Sequence, residues 1–409
     1  MEEVVEGGNV KVALKRVRQN KGSPGVDGMT VEELPGYLRQ HWADIREQLL
    51  AGTYQPQAVR RAEIPKDAGG TRRLGIPSVV DRFIQQSILQ VLQRRFDPTF
   101  SQHSYGFRPG RNAHQAVCRA QQYIQDGKRI VVDVDLEAFF DQVNHDVLMG
   151  RLAKRITDKR MLGLIRRYLS AGIMVNGVEM EREEGTPQGG PLSPLLANVL
   201  LDEVDRELER RGLSFVRYAD DLNVYVGSER AGQDAMETLR RLYGRLRLRI
   251  NESKSAVARA QTRKFLGYSF WLVAGGRVKR RVAPKSLAKM KARVRRITSR
   301  SRGKSMAFTM AELREYLTGW KQYYRLAETP RIFRLLDGWI RHRLRMVQLK
   351  QWIRGSTARR ELRRLGAPEY AVRRVGGFSR RWWSESSALL NYALPNRYYD
   401  RQGIPRLAS

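Results

Sequence analysis

Phe215-Val216-Arg217-Tyr218-Ala219-Asp220-Asp221-Leu222-Asn223-Val224-Tyr225-Val226 sets two adjacent carboxylates in the middle of an otherwise β-forming run. The flanks read as two short strands, with Ala219-Asp220-Asp221 at the turn joining them. A second run, Ile130-Val131-Val132-Asp133-Val134-Asp135-Leu136, carries acids at alternate positions. Strand period two therefore puts Asp133 and Asp135 on one face and Val132 and Val134 on the other. Burying an unpaired carboxylate costs several kcal/mol or neutralises it, so such placement needs a cause. A hard dication supplies one, because carboxylate oxygens suit Mg²⁺ and its charge offsets the repulsion among the acids. Two such ions about 3.5–4 Å apart support in-line phosphoryl transfer. For Asp220-Asp221 alone, the plainer alternative is a pair of turn caps or an ion pair with Arg217.

Composition narrows the partner. The 409 residues hold 76 Lys and Arg against 42 Asp and Glu, a net charge of +34. An apolar fraction of 41% with 7 Trp, 16 Tyr and 12 Phe excludes general disorder and allows two or three domains. The charge is uneven: residues 277–409 carry 34 Lys and Arg against 8 Asp and Glu. Runs such as Arg277-Val278-Lys279-Arg280-Arg281 and Lys289 to Arg296, which includes Lys291, Arg295 and Arg296, have few acids to relieve them, which points to nucleic acid. Aromatic residues interleave, among them Trp320, Tyr323 and Tyr324, then Trp339, Trp352, Trp382 and Trp383. Some must anchor a core, while others are available to stack on bases. The lone Cys118 excludes an intramolecular disulfide and a thiolate zinc cluster. The start, Met1-Glu2-Glu3-Val4-Val5, lacks a signal-peptide pattern, and no apolar run nears the ~18 residues of a membrane span. A cytoplasmic protein with no membrane partner is the expectation.

Along the chain, Val10 to Arg18 predicts a helix ending in the Gly/Pro turn of residues 21–28. Residues 58–66 alternate as a strand, a glycine hairpin over 66–73 follows, and Leu74 to Pro77 forms the returning strand. Asp81 to Phe96 predicts an amphipathic helix with Ile84, Ile88, Leu89, Val91 and Leu92 inward. The composition turns basic and helical near Gly275-Gly276, giving domains of 1–274 and 275–409.

Tyr218-Ala219-Asp220-Asp221 resembles the YxDD box of reverse transcriptases, and the motifs around it fall in matching order. Ile64-Pro65-Lys66 runs through Arg72 to Leu74-Gly75-Ile76-Pro77 and Asp81-Arg82, followed by Ser104-Tyr105-Gly106-Phe107-Arg108-Pro109-Gly110-Arg111 and Asp135-Leu136-Glu137-Ala138-Phe139-Phe140-Asp141. Then come Gly185-Thr186-Pro187-Gln188-Gly189-Gly190, Asn251-Glu252-Ser253-Lys254 and Phe265-Leu266-Gly267-Tyr268. Together these resemble the reverse transcriptases encoded by bacterial group II introns, in the compact IIC-like form without an endonuclease. Gly319 to Tyr324 is similar to the thumb/maturase (X) region of that family.

The resemblance implies an α+β right-hand polymerase, with fingers and palm of antiparallel sheet and helices over 1–274 and a basic helical thumb/X domain over 275–409. It implies that Asp135, Asp220 and Asp221 are the catalytic acids and ligate two Mg²⁺ ions, with Mn²⁺ as a substitute. Asp133 is less favoured, because the family acid lies five residues before an aromatic, as Asp135 does before Phe140. Phe140 becomes the gate against a ribose 2′-hydroxyl, Lys66 and Arg72 clamp the triphosphate, Gln188 packs beside the incoming nucleotide, and Lys254 lies near the leaving pyrophosphate. Arg277, Lys279, Arg280, Arg281, Lys291, Arg295, Arg296, Trp320, Tyr323 and Tyr324 become the nucleic-acid contacts. The implied partners are dNTPs, an RNA template with a DNA primer, and group II intron RNA, which the protein would help to splice and mobilise. Two other readings share these motifs: a splicing cofactor with little polymerase activity, and a domesticated enzyme of repair or defence. Oligomeric state has no signature in the sequence.

Overall fold

In the computed structural model, residues 1–65, 71–175, 178–180, 184–186, 189–352, 354–375, 383, 386 and 390–408 are described, those at 72, 73, 175, 178–180 and 375 by backbone alone. The chain forms two compact units, Met1–Arg259 and Ala260–Ser409.

The first unit opens with α1 (Glu2–Val5), α2 (Gly7–Gln19) and α3 (Leu34–Ala51), then β1 (Val59–Pro65), β2 (Thr71–Ile76) and α4 (Val79–Phe96). Next come α5 (Ala113–Gln125), β3 (Ile130–Val134), α6 (His145–Ala153), α7 (Lys159–Ser170), β4 (Ile173–Val175) and β5 (Val178–Met180). It closes with α8 (Ser193–Arg210), β6 (Ser214–Tyr218), β7 (Asp221–Val226), α9 (Glu229–Arg245) and β8 (Ala256–Arg259). One sheet has the order β2-β1-β4-β5, with β1 and β4 parallel and the other pairs antiparallel. The other, β6-β7-β3-β8, is antiparallel throughout. Its valine face is fully buried: Val132, Val134, Leu222 and Val224 join one core with Met236, Leu239 and Tyr243 of α9, which packs across β3, β7 and β8. Polar helix ends are capped locally, as where Asn112 and Gln115 form a reciprocal capping box on α5.

α4 departs from the amphipathic expectation. Ile84, Ile88, Val91 and Leu92 are buried as anticipated, but so are Asp81, Arg82, Gln85, Gln86, Ser87 and Gln90. Distant segments pair with three of them: Tyr54 Oη donates to Asp81 at 3.0 Å, Arg82 Nη2 donates to the Ser23 carbonyl at 2.7 Å, and Gln90 Nε2 donates to Asn9 Oδ1 at 2.8 Å. The helix is thus a central strut rather than a surface helix.

The second unit holds β9 (Lys264–Phe265), β10 (Tyr268–Leu272) and β11 (Val278–Val282), an antiparallel sheet, then α10 (Pro284–Ile297), α11 (Met306–Tyr323), α12 (Pro330–Gln351), α13 (Gly355–Arg364), α14 (Glu369–Val375), α15 (Leu390–Ala393) and α16 (Asn396–Arg401). Its core gathers Met290, Val294, Leu313, Leu317, Trp320, Phe333, Ile340 and Leu344. The units divide upstream of the 274/275 boundary read from composition. β10 pairs with β11 across that point, so the change of charge falls inside a sheet. Among the described residues, no helix is long and apolar enough to cross a membrane.

Candidate active site

Asp220 and Asp221 lie at the hairpin that opens β7, and Asp135 directly follows β3, the strand paired with β7. β3 pairs with β7 through Asp133 opposite Asn223 and Val134 opposite Leu222, the last pair of that ladder, and Asp135 and Asp221 are the next residues along the two strands. Asp220 sits beside Asp221 at the tip of the β6–β7 hairpin, whose last pair is Tyr218 with Asp221. Asp135 and Asp220 are half-buried and Asp221 is exposed. Asp133 is engaged elsewhere: in the amide orientation that matches donors with acceptors, Asn223 donates to its Oδ1 at 3.0 Å.

The turn after α9 wraps Asp135. Asn251 N–H donates to the Asp135 carbonyl at 2.8 Å, and Asp135 N–H donates to Ser255 Oγ at 3.0 Å. Lys254 Nζ lies 3.3 Å from Asp135 Oδ2. The Asn251–Lys254 motif therefore delivers its lysine to a catalytic candidate.

Beneath the hairpin lies a buried ionic brace. Arg217, on β6, and Asp205, on α8, are both 0% exposed, with nitrogen–oxygen distances of 2.6, 2.8 and 3.0 Å. Arg217 Nη1 also donates to Asn198 Oδ1 at 2.8 Å and to the Ala219 carbonyl at 3.0 Å. Burial opposes the charge on Arg217, but the Asp205 carboxylate outweighs it and holds the guanidinium above its ordinary range. Ala219 needs this support, because its φ of 59° is a left-handed conformation that costs a non-glycine residue on the order of 1–3 kcal/mol. The segment 103–106 buttresses the other side: Arg217 N–H donates to the His103 carbonyl at 2.9 Å, and Tyr105 N–H donates to the Arg217 carbonyl at 2.8 Å. A Cβ on Gly106 would stand 2.2 Å from Ala219 N, so only glycine permits this approach. The expected alternative, Arg217 paired with the hairpin acids, gives way to a pairing with Asp205.

Phe140 occupies a short 3-10 turn, Phe139–Asp141, entered through Ala138 at φ 39°. Its ring is 8% exposed and lies edge-on to Phe139, with centroids 5.0 Å apart. Lys66 and Gln188 lie outside the described residues, as does the side chain of Arg72.

In the second unit, Arg277, Lys291, Arg295 and Arg296 are exposed. Lys279 and Arg281 are half-buried on one face of β11, where Arg281 Nε donates to Ser269 Oγ at 3.1 Å. Arg280, on the opposite face, is tied to Glu328 at 3.3 Å. Trp320 is 8% exposed, between Tyr324 at 4.7 Å and Phe333 at 5.8 Å, so it anchors α11 in the core rather than offering a stacking face. Tyr324 is partly buried against it, whereas Tyr323 is exposed, with its hydroxyl donating to the Leu266 carbonyl at 2.9 Å.

A family model described as reverse transcriptase (RNA-dependent DNA polymerase) matches residues 64–270, and one described as group II intron, maturase-specific domain matches residues 287–366. Protein YkfC of Escherichia coli (strain K12) is 34% identical over 286 residues, which cover 60% of this chain and 75% of YkfC. The group II intron-encoded protein LtrA of Lactococcus lactis subsp. cremoris is 29% identical over 336 residues, covering 66% of this chain and 56% of LtrA. A chain solved in a partial Cas6-RT-Cas1–Cas2 complex shares 25% identity at a TM-score of 0.38, covering 59% of this chain and 42% of that one. The chain belongs to the reverse transcriptase (RNA-dependent DNA polymerase) family. Behind that domain it carries a group II intron maturase-specific domain, as the ordered motifs led one to expect.

Reverse transcriptases as a family depend on a divalent cation. Among the described residues, no group of three or more His, Cys, Asp or Glu side chains is gathered as a metal site. Asp135, Asp220 and Asp221 nevertheless have the oxygen chemistry for a hard dication and follow or flank the end of the β3–β7 ladder, with Asp135 Oδ2 3.3 Å from Lys254 Nζ.

Proposed function

We propose that this protein is the RNA-directed DNA polymerase of a group II intron, which copies RNA into cDNA and binds its intron RNA as a maturase. The observation that supports this reading is that Asp135 and Asp221 each lie one residue beyond the last β3–β7 pair, Val134 with Leu222, with Asp220 next to Asp221 at the hairpin. In this reading, Asp135, Asp220 and Asp221 would hold two Mg²⁺ ions, or Mn²⁺ in their place, and the chemistry that charge would supply is activation of a primer 3′-oxygen and neutralisation of the departing pyrophosphate. The three aspartates hold that charge at the hairpin tip, and the Arg217–Asp205 brace keeps the tip from shifting. Lys254, 3.3 Å from Asp135 Oδ2, pairs with that carboxylate and in this reading meets the leaving pyrophosphate. Phe140 packs where a ribose 2′-hydroxyl would protrude, while Lys66, Arg72 and Gln188 bind the rest of the dNTP. The first compact unit supplies fingers and palm, and the second supplies the thumb/X surface. That surface presents Arg277, Lys279, Arg281, Lys291, Arg295, Arg296 and Tyr323 to the template–primer duplex and to intron RNA.

The test is RNA-templated dNTP incorporation by Asp220→Asn and Asp221→Asn. Each is expected to lose roughly a hundredfold or more in rate while still binding RNA. Near wild-type rates in both sink the assignment. A wild-type protein that binds and splices intron RNA but incorporates no dNTP identifies a splicing cofactor instead.

A further inference from the structure

His145, the first residue of α6, is 3% exposed, with Nε2 2.7 Å from the Gly185 carbonyl oxygen. A carbonyl only accepts, so Nε2 carries the proton. Backbone bonds flank this contact: Gly185 N–H donates to the Val143 carbonyl at 2.8 Å, and Thr186 N–H donates to the Phe140 carbonyl at 2.7 Å. Asn144 and Glu184 complete the strip as an antiparallel bridge. The approach is close. Gly185 sits at φ 90°, and a Cβ there would lie 2.9 Å from the carbonyl oxygens of both Phe140 and Asp141. Residues 184–186 are thus laid directly on the backbone of the turn that aims Phe140, and His145 clamps them there with a side chain.

A ring that excludes one hydroxyl selects by fit of a fraction of an ångström, so what fixes its turn fixes the selection. We propose that His145 is a positioning residue for sugar selection, holding Gly185-Thr186 against the Phe140 turn without touching the nucleotide. The inference rests on the polymerase reading above. Without the imidazole N–H, the buried Gly185 carbonyl is left without its donor and only the backbone bonds retain the turn.

The experiment is primer extension on an RNA template, with kcat and KM measured for dNTPs and for rNTPs. Wild type is the first arm, and failure to incorporate dNTPs overturns the polymerase reading and this inference with it. Given an active wild type, His145→Leu fills the space without a donor and is expected to lower the preference for dNTP over rNTP about tenfold, with kcat for dNTP changed by less than about twofold. His145→Gln, which retains an N–H, is expected to restore the preference. Gly185→Ala, which pushes the strip off the turn from the other side, is expected to reproduce the loss. Unchanged preference in a folded His145→Leu overturns the inference, as does an equal loss in His145→Gln. Should His145→Leu fail to fold, His145→Asn, whose amide falls short of Gly185, takes its place under the same criteria.

Discussion

Asp205→Asn changes a single buried charge, and its effect follows from the brace under the hairpin. Arg217 and Asp205 are both fully enclosed, so the substitution strands a guanidinium without a counter-charge. Breaking one side of such a pair costs about 3–5 kcal/mol, against a typical domain stability of about 5–15 kcal/mol. For a unit of this size, each kcal/mol lowers the melting temperature by about 2–4 °C, so a fall of roughly 6–20 °C is expected by circular dichroism. Activity should fall as well, because Arg217 also donates to the Ala219 carbonyl at the hairpin tip. The double variant Asp205→Leu/Arg217→Met removes both charges and is expected to regain most of the stability, since apolar replacement of a buried pair is often neutral. It should not regain RNA-templated incorporation, because the Ala219 carbonyl has then lost its Arg217 donor. A melting temperature within about 2 °C of wild type for Asp205→Asn, or full activity in the double variant, refutes the reasoning.

Gly106→Ala should all but abolish incorporation while RNA binding persists, because the added Cβ would stand 2.2 Å from Ala219 N and must displace the hairpin; parallel extension and filter-binding assays check this. Burial pushes the Asp81 carboxyl above its ordinary range, against hydrogen bonds from Ser78, Gln57 and Tyr54 that favour its charge. Its cost to stability is absent below about pH 4, where the acid is neutral whether folded or unfolded, and is complete once pH exceeds the folded pKa. Asp81→Asn, neutral throughout, should therefore gain in stability relative to wild type as pH rises from 4 to 7, which urea titrations at both pH values measure. Replacing exposed Lys291, Arg295 and Arg296 with Gln should flatten the salt dependence of RNA affinity, by roughly one unit of log–log slope for each phosphate no longer neutralised.

Alternation made the acid-bearing strands legible. Asp133 and Asp135 interrupt a valine run at period two, and β3 forms there with its valines in the core. What escaped depended on partners far away in sequence. Asp205 is one acid among Asp202, Glu203 and Glu207 on α8, and nothing local marks it as the one that meets Arg217. Trp320 and Tyr323 lie three residues apart on α11, and only the packing of Phe333 decides that the first is core and the second exposed. The polar residues of α4 look like a solvated face until Asn9, Tyr54 and Ser23 arrive to pair with them. His145 had no sequence signal beyond its place after the Phe140 motif, because its partner is a carbonyl at Gly185.

Whether one cation site is shared by both strands is open to direct mapping. Fe²⁺ loaded in place of Mg²⁺ on the RNA-bound protein, then treated with ascorbate and peroxide, cuts the backbone where the metal sits. Paired cuts near Asp135 and near Asp220-Asp221, both lost in Asp135→Asn, are the expected result. Cleavage near only one of the two, or a pattern indifferent to Asp135→Asn, contradicts a shared site.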